Sequence, residues 1–259
     1  LKLSALGFRY RSLIFLAICI LGFTAPWDYA LHLDGTGPNS HVWGQLAVLL
    51  SKGGALSIAS AFNLLLVVGI LCAFMGAWLR TWASAYLGID VMRDRKMRAD
   101  EVVDHPSQQA GRGPRLADGP YRYVRNPLYL GMWFNALALA LLMPVSGAIF
   151  MLVLAVAITI HTILREETFL RSQLGETYAA YCAKVPRLLP ALRPRIAASG
   201  AHARWLQAML AEIFMWGVAV SFLVLGWRYN AHLLIQCVLV WLGVSLVGRG
   251  FTMRQKPTE

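Results

Sequence analysis

A chain of 259 residues that is 58% hydrophobic and only 14% charged is more apolar than a soluble domain, where about half the residues are apolar. Its mean hydropathy of +0.54 points to a polytopic helical membrane protein. The net charge of +11 does not indicate a nucleic-acid partner, because the basic residues flank apolar runs instead of forming one soluble face.

A membrane helix needs about 20 predominantly apolar residues. Six segments meet that need: about 12–32, 55–79, 126–143, 146–164, 205–226 and 231–248. The first exceeds a signal-peptide core of roughly 7–15 residues and is expected to remain as a helix. The stretch 42–52 is shorter and ends in Ser51-Lys52-Gly53-Gly54, which reads as an interfacial or re-entrant piece. Pro144-Val145 alone separates the third and fourth spans, so these form a tight hairpin. The fold class expected is all-α. Its organisation is N-terminal transmembrane helices over 1–79, a catalytic core over 80–200 containing the hairpin 126–164, and C-terminal helices and tail over 201–259.

Orientation follows from lysine and arginine placement. With six spans, the N-terminal tail, 80–125, 165–204 and the C-terminal tail share one side, and they hold 22 of the 24 basic residues. Only Lys52 and Arg228 fall opposite. Both termini are therefore expected in the cytoplasm, and the polar segments 80–125 and 165–204 lie at that face. Cys19, Cys72, Cys182 and Cys237 are scattered without metal-ligand spacing, so neither disulfides nor a metal site is expected.

Within 80–125, the run Arg93-Asp94-Arg95-Lys96-Met97-Arg98 reads as a contact with anionic lipid or as part of a cytoplasmic lid. Next comes Gly119-Pro120-Tyr121-Arg122-Tyr123-Val124-Arg125-Asn126-Pro127-Leu128-Tyr129-Leu130-Gly131. Gly119-Pro120 marks a turn, Asn126 suits an N-cap and Pro127 a first helical position. If that first turn is helical, Arg125 and Tyr129 share a face. The plain reading is a helix start with a snorkelling arginine and an interfacial tyrosine. Two arginines, three tyrosines and two glycines exceed what an anchor requires.

The second cluster is Arg165-Glu166-Glu167, then Leu170, Gly175, Tyr178, Tyr181 and Val185-Pro186-Arg187. Glu167 has a local helical partner in Arg171 four residues on. Glu166 points about 100° away and is the better candidate to meet Arg125 or a cofactor. The hairpin returns both clusters to one membrane face, as a binding site needs. His161 either lines that site or satisfies a buried carbonyl, the second being favoured. Glu212 lies inside an apolar run, where carboxylates are paired or functional, but the sequence names no partner.

The two clusters together resemble the membrane methyltransferases related to isoprenylcysteine carboxyl methyltransferase and phospholipid N-methyltransferases. Their pattern Gly-Pro-Tyr-x-x-x-Arg-His/Asn-Pro-x-Tyr-x-Gly is met at 119, 120, 121, 125, 126, 127, 129 and 131. Asn126 stands where the isoprenylcysteine enzymes carry His, as in bacterial relatives. The Glu-Glu-x-x-Leu, Gly-x-x-Tyr-x-x-Tyr and Val-Pro-Arg steps follow in order. The resemblance implies S-adenosylmethionine as cofactor and a lipophilic acceptor, in a multi-pass protein of a bacterial inner membrane. It implies catalytic roles for Arg125 and Glu166, and a cofactor pocket of Tyr121, Arg125, Asn126, Pro127, Tyr129, Gly131, Glu166, Glu167, Tyr178 and Tyr181. The alternative is an NADPH-dependent reductase of the steroid 5α-reductase type. Those enzymes usually place Glu after the Asn-Tyr-x-Gly step, where this chain has Met132. A transporter is disfavoured because no repeated halves are visible.

Overall fold

The computed structural model describes residues 11–24, 41–54, 56–87, 118–228 and 231–254. The basic run at 93–98 lies outside them. The described chain is helical: α1 Arg11–Thr24, α2 Val42–Lys52, α3 Ile58–Tyr86, a 3-10 turn Gly119–Arg122, α4 Pro127–Leu141, α5 Val145–Lys184, α6 Trp205–Ala211, α7 Ile213–Arg228 and α8 Ala231–Arg254. Each of the six expected spans corresponds to one of these helices or a pair of them. By length and composition α3 and α5 can cross a membrane, and α6 with α7 makes a third if that bent pair is one span. At 1.5 Å per residue, the 29 residues of α3 reach about 43 Å, beyond a hydrocarbon core of about 30 Å. The 15 residues of α4 reach only about 22 Å. The chain ahead of Pro127 is held in a polar turn, which fixes where α4 begins.

The helices pack in a row rather than around a single axis. α8 rests on α7, α7 on α3, α3 on α4, and α1 on α5, with α2 against α3. Ile18, Ala136, Ala140, Met143, Ala148, Met151 and Ala155 join α1, α4 and α5. Ala73, Ala138, Val218, Ala219 and Phe222 join α3, α4 and α7. These contacts are rich in alanine because lipid tails are as apolar as side chains, so helices associate through close approach rather than hydrophobic transfer. At the end of the hairpin remote from the polar clusters, Val42 N–H donates to the Met143 carbonyl at 2.9 Å. The short apolar segment 42–52 is thus a helix braced on α3, where Trp43 Nε1 donates to the Phe62 carbonyl at 3.0 Å.

α3 and α4 approach closely at Gly76 and Gly131. A Cβ on Gly131 would meet Arg80 Cγ at 2.7 Å and the Gly76 carbonyl oxygen at 2.8 Å, and one on Gly76 would collide with Asn135. Gly131, expected in the cofactor pocket, is therefore a packing residue facing α3. Gly131→Leu is expected to lower stability by about 1–3 kcal/mol, as overpacked cores do, and thermal unfolding in detergent measures it. A wild-type melting temperature would show that the crossing can open at no cost.

Two helices break, the second of them inside an expected span. Gly175, at φ 50° and ψ −128°, interrupts α5 and lets the following turn swing Tyr178 into a buried position. That backbone conformation suits glycine. The expected span 205–226 is bent by 67° between α6 and α7, with Glu212 at the break. The cause is a carboxylate that α3 captures. Arg80 donates to Glu212 through Nε at 2.7 Å and Nη2 at 3.1 Å, and the Ser84 hydroxyl adds a third bond at 2.9 Å. Trp216 Nε1 donates to the Thr81 hydroxyl at 2.9 Å, fixing the start of α7 to the same face of α3.

Candidate active site

The site begins at the 3-10 turn. Gly119 has φ +56°, and the Tyr86 ring fills the space a Cβ would need. The turn packs on the end of α3 through Tyr121, Ala83 and Leu87. Just ahead of it, buried Asp118 accepts from the Ser199 N–H at 2.7 Å, the Ser199 hydroxyl, and the Ala201 N–H at 3.0 Å. Burial alone would raise the Asp118 carboxyl, but hydrogen bonds from Ser199, Ala201 and Gly200 outweigh it and hold it below the usual carboxylate range.

Residues 185–204 therefore form a strap over the turn. Arg125 N–H donates to the Pro186 carbonyl at 2.8 Å, Ala191 N–H to Tyr123 at 2.9 Å, and Arg195 N–H to Arg122 at 2.9 Å. Arg122 Nε returns a bond to the Ile196 carbonyl at 2.9 Å. With its N–H committed to the strap, Arg125 precedes α4 instead of belonging to its first turn. The shared helical face of Arg125 and Tyr129 is not what brings them together. Asn126 occupies the N-cap position but makes no side-chain cap. Its amide instead donates to Glu167 at 3.4 Å and to the Arg187 carbonyl at 3.2 Å.

The carboxylates come from α5, which continues as helix through Glu166 and Glu167. Glu167 is buried and takes Arg125 Nη1 at 3.1 Å, Arg187 Nε at 3.1 Å and Arg187 Nη2 at 2.8 Å. The expected local pair with Arg171 is absent, and Arg125 meets Glu167, not Glu166. Glu166 instead accepts from the Tyr129 hydroxyl at 3.1 Å. Glu167 thus turns inward to the arginines and Glu166 faces the tyrosine. Hydrogen bonding to Glu167 raises the Arg187 pKa against the opposing effect of burial, so the guanidinium stays charged.

Tyr181 completes the cover, its hydroxyl donating to the Tyr121 carbonyl at 2.9 Å. Its ring lies 5.8 Å from that of Tyr178. Eight of the ten expected site residues converge here: Tyr121, Arg125, Asn126, Tyr129, Glu166, Glu167, Tyr178 and Tyr181. Pro127 and Gly131 start and pack α4. His161 fits neither of its expected roles; it is exposed on the outer side of α5, where a groove of about 380 Å³ also touches Leu164, Arg165, Thr168, Phe169 and Ser172.

No role for Arg187, Asp118 or Arg80 follows from the sequence, whereas Glu212 stands out there. Arg187 lies in the Val-Pro-Arg step and makes the shortest bond to Glu167. Asp118 and the Arg80–Glu212 pair frame the site from either side. The Arg80–Glu212 pair had a readable signal, since two opposite charges in separate apolar runs have strong reason to meet.

The family model for phospholipid methyltransferases matches residues 64–177. A protein-S-isoprenylcysteine O-methyltransferase of Schizosaccharomyces pombe (strain 972 / ATCC 24843) is 32% identical over 153 residues, covering 57% of this chain and 64% of that enzyme. The chain thus spans just under two thirds of the curated relative's length. No solved structure matches it. The matched interval runs from α3 through the hairpin, past both carboxylates, to the Gly175 break. Residues 64–177 are thus similar to phospholipid methyltransferases.

Proposed function

We propose that this chain is an integral membrane methyltransferase that uses S-adenosylmethionine to methylate a lipophilic acceptor, in a bacterial inner membrane and from its cytoplasmic face. The observation that carries the reading is the Arg125–Glu167–Arg187 cluster beside the Tyr129–Glu166 pair, at one end of the hairpin within the matched family domain. The matched family model and the matched Schizosaccharomyces pombe protein both bear methyltransferase names, which favours this reading over the NADPH-dependent reductase. The concentration of lysine and arginine at the site end of the helices supports its cytoplasmic placement, with both termini on that side.

The donor set fits the cofactor. Two guanidinium groups share one carboxylate, leaving a positive charge suited to the cofactor's own carboxylate. Arg125 Nε is buried and has no acceptor among the described residues. Arg125, Arg187 and Asn126 would hold the amino-acid end, Glu166 a cationic or hydroxyl group, and Tyr129, Tyr178 and Tyr181 the flat and sugar portions. When bound, S-adenosylmethionine supplies an electrophilic methyl group on a sulfonium.

The remaining task of the chain is alignment, because displacement at a methyl carbon needs the acceptor in line with the breaking bond. The strap and the 3-10 turn fix Arg125 from its backbone outward, and Glu167 fixes its guanidinium. The exposed apolar flanks of α3 and α5 leave lipid-side approaches through which an acceptor reaches the polar end. Arg125 and Glu166 are the residues proposed to touch the reacting molecules, and the core of the activity lies in 80–200.

Calorimetry on the protein in lipid nanodiscs tests the cofactor, with S-adenosylmethionine expected to release heat and NADPH none. Arg125→Ala is expected to abolish that heat while the protein still inserts in the membrane. Incubating a lipid extract with methyl-labelled S-adenosylmethionine and resolving the products by mass identifies the acceptor. Binding of NADPH alone, or unchanged cofactor affinity in Arg125→Ala, sinks the proposal.

A further inference from the structure

The strap carries a surface that the site does not use. Leu189 and Leu192 are 82% and 101% exposed, although the backbone around them is pinned. Pro186, Ala191 and Arg195 are tied to the turn by hydrogen bonds of 2.8–2.9 Å, and Ser199 and Ala201 are tied to Asp118. The strap therefore has no freedom to fold these leucines inward. Between Val185 and Arg204 the sequence has Arg187, Arg193, Arg195 and Arg204 and no acidic residue.

The level of the strap is marked at its far end. Arg204 N–H donates to the Ala85 carbonyl at 2.9 Å, at the last turn of α3. Immediately afterwards Trp205 stacks on Trp78 with ring centroids 5.7 Å apart. Both indoles are roughly half exposed, as rings at a membrane–water boundary are. At the other side, two residues beyond Arg125, Pro127 opens the apolar α4. Both ends of the strap thus sit where apolar helix gives way to polar chain.

We propose that the strap is a lipid-contact surface: Leu189 and Leu192 enter the acyl-chain boundary while Arg193 and Arg195 meet anionic phospholipid headgroups. Charge selects this partner. An acid-free segment with guanidiniums beside outward leucines complements an anionic bilayer surface, where basic residues are attracted within a Debye length. Arg187 belongs to the same pinned segment, so the surface that meets lipid also holds the Glu167 carboxylate.

Spin labels on the full-length chain, with its four cysteines replaced by alanine, test this directly. Leu189→Cys, Leu192→Cys and Ala197→Cys are surface positions that leave the packing untouched. In vesicles of phosphatidylglycerol and phosphatidylcholine, the labels at 189 and 192 are expected to collide severalfold more with oxygen than with a water-soluble nickel chelate. The label at 197 is expected to favour the chelate. Arg193→Gln with Arg195→Gln, or pure phosphatidylcholine, is expected to move the first two labels toward water. Equal water exposure at all three positions overturns the proposal. So does protection of 189 and 192 from both reagents, the result expected if protein, such as a second copy of the chain, covers them. The readout requires no catalysis and is independent of the methyltransferase reading.

Discussion

Glu167→Ala is expected to destabilise the folded chain by about 3 kcal/mol, the lower end of the cost of stranding one member of a buried ion pair. The carboxylate is buried and receives Arg125, Asn126 and Arg187. Without it two guanidiniums face each other at close range. Arg187 has 45% of its side chain exposed and can swing to water, whereas Arg125, at 12%, cannot. Arg125 therefore bears most of the penalty. Glu166→Gln is expected to behave differently, costing about 1 kcal/mol or less through its weakened bond to Tyr129, but lowering affinity for S-adenosylmethionine. Denaturant titrations of both variants in detergent, paired with calorimetry, separate the two roles. Equal losses of stability at 166 and 167 would contradict the asymmetry that the hydrogen bonds show.

Arg80→Ala is expected to be as damaging, at about 3–5 kcal/mol, because Glu212 is left 6% exposed in an apolar setting with only the Ser84 hydroxyl. The double variant Arg80→Leu/Glu212→Leu is expected to recover most of that loss, since well-packed apolar side chains can replace a buried ion pair at little cost. Thermal unfolding of the wild type, both single variants and the double variant closes the cycle. Additive losses in the double variant would mean that the two charges act separately. Affinity for S-adenosylmethionine in the double variant then tells whether the ion pair also shapes the site, because Arg80 Nη1 lies 3.5 Å from the Leu128 carbonyl at the start of α4.

The convergence of the two motifs was legible because it depends on little. A connection of only three residues, 142–144, returns the helical hairpin to its starting face and so brings Arg125 and Tyr129 to Glu166 and Glu167. Which carboxylate meets which partner was not legible. The i,i+4 rule offered Glu167 the nearby Arg171, but Arg187 reaches it because Gly175 breaks the helix and the chain returns as the strap. Nor do local patterns predict the bend at Glu212: no proline precedes it, and its cause lies on another helix. Asn126 takes the N-cap position that the sequence indicates, but its side chain makes no cap bond and its amide reaches across the site to Glu167 and the Arg187 carbonyl.

The Arg80–Glu212 pair also constrains how this protein is made. Its partners are 132 residues apart, whereas Arg125 and Glu167 are 42 apart. While the chain is being synthesised, α3 therefore presents an uncompensated cation until the ribosome has passed residue 212. An unpaired arginine is costly within hydrocarbon and snorkels toward water, so the nascent α3 sits high, with its Arg80 end at the aqueous boundary. Only once Glu212 has emerged can Arg80 gain the counter-charge with which it is buried in the folded chain, so this contact forms late in synthesis.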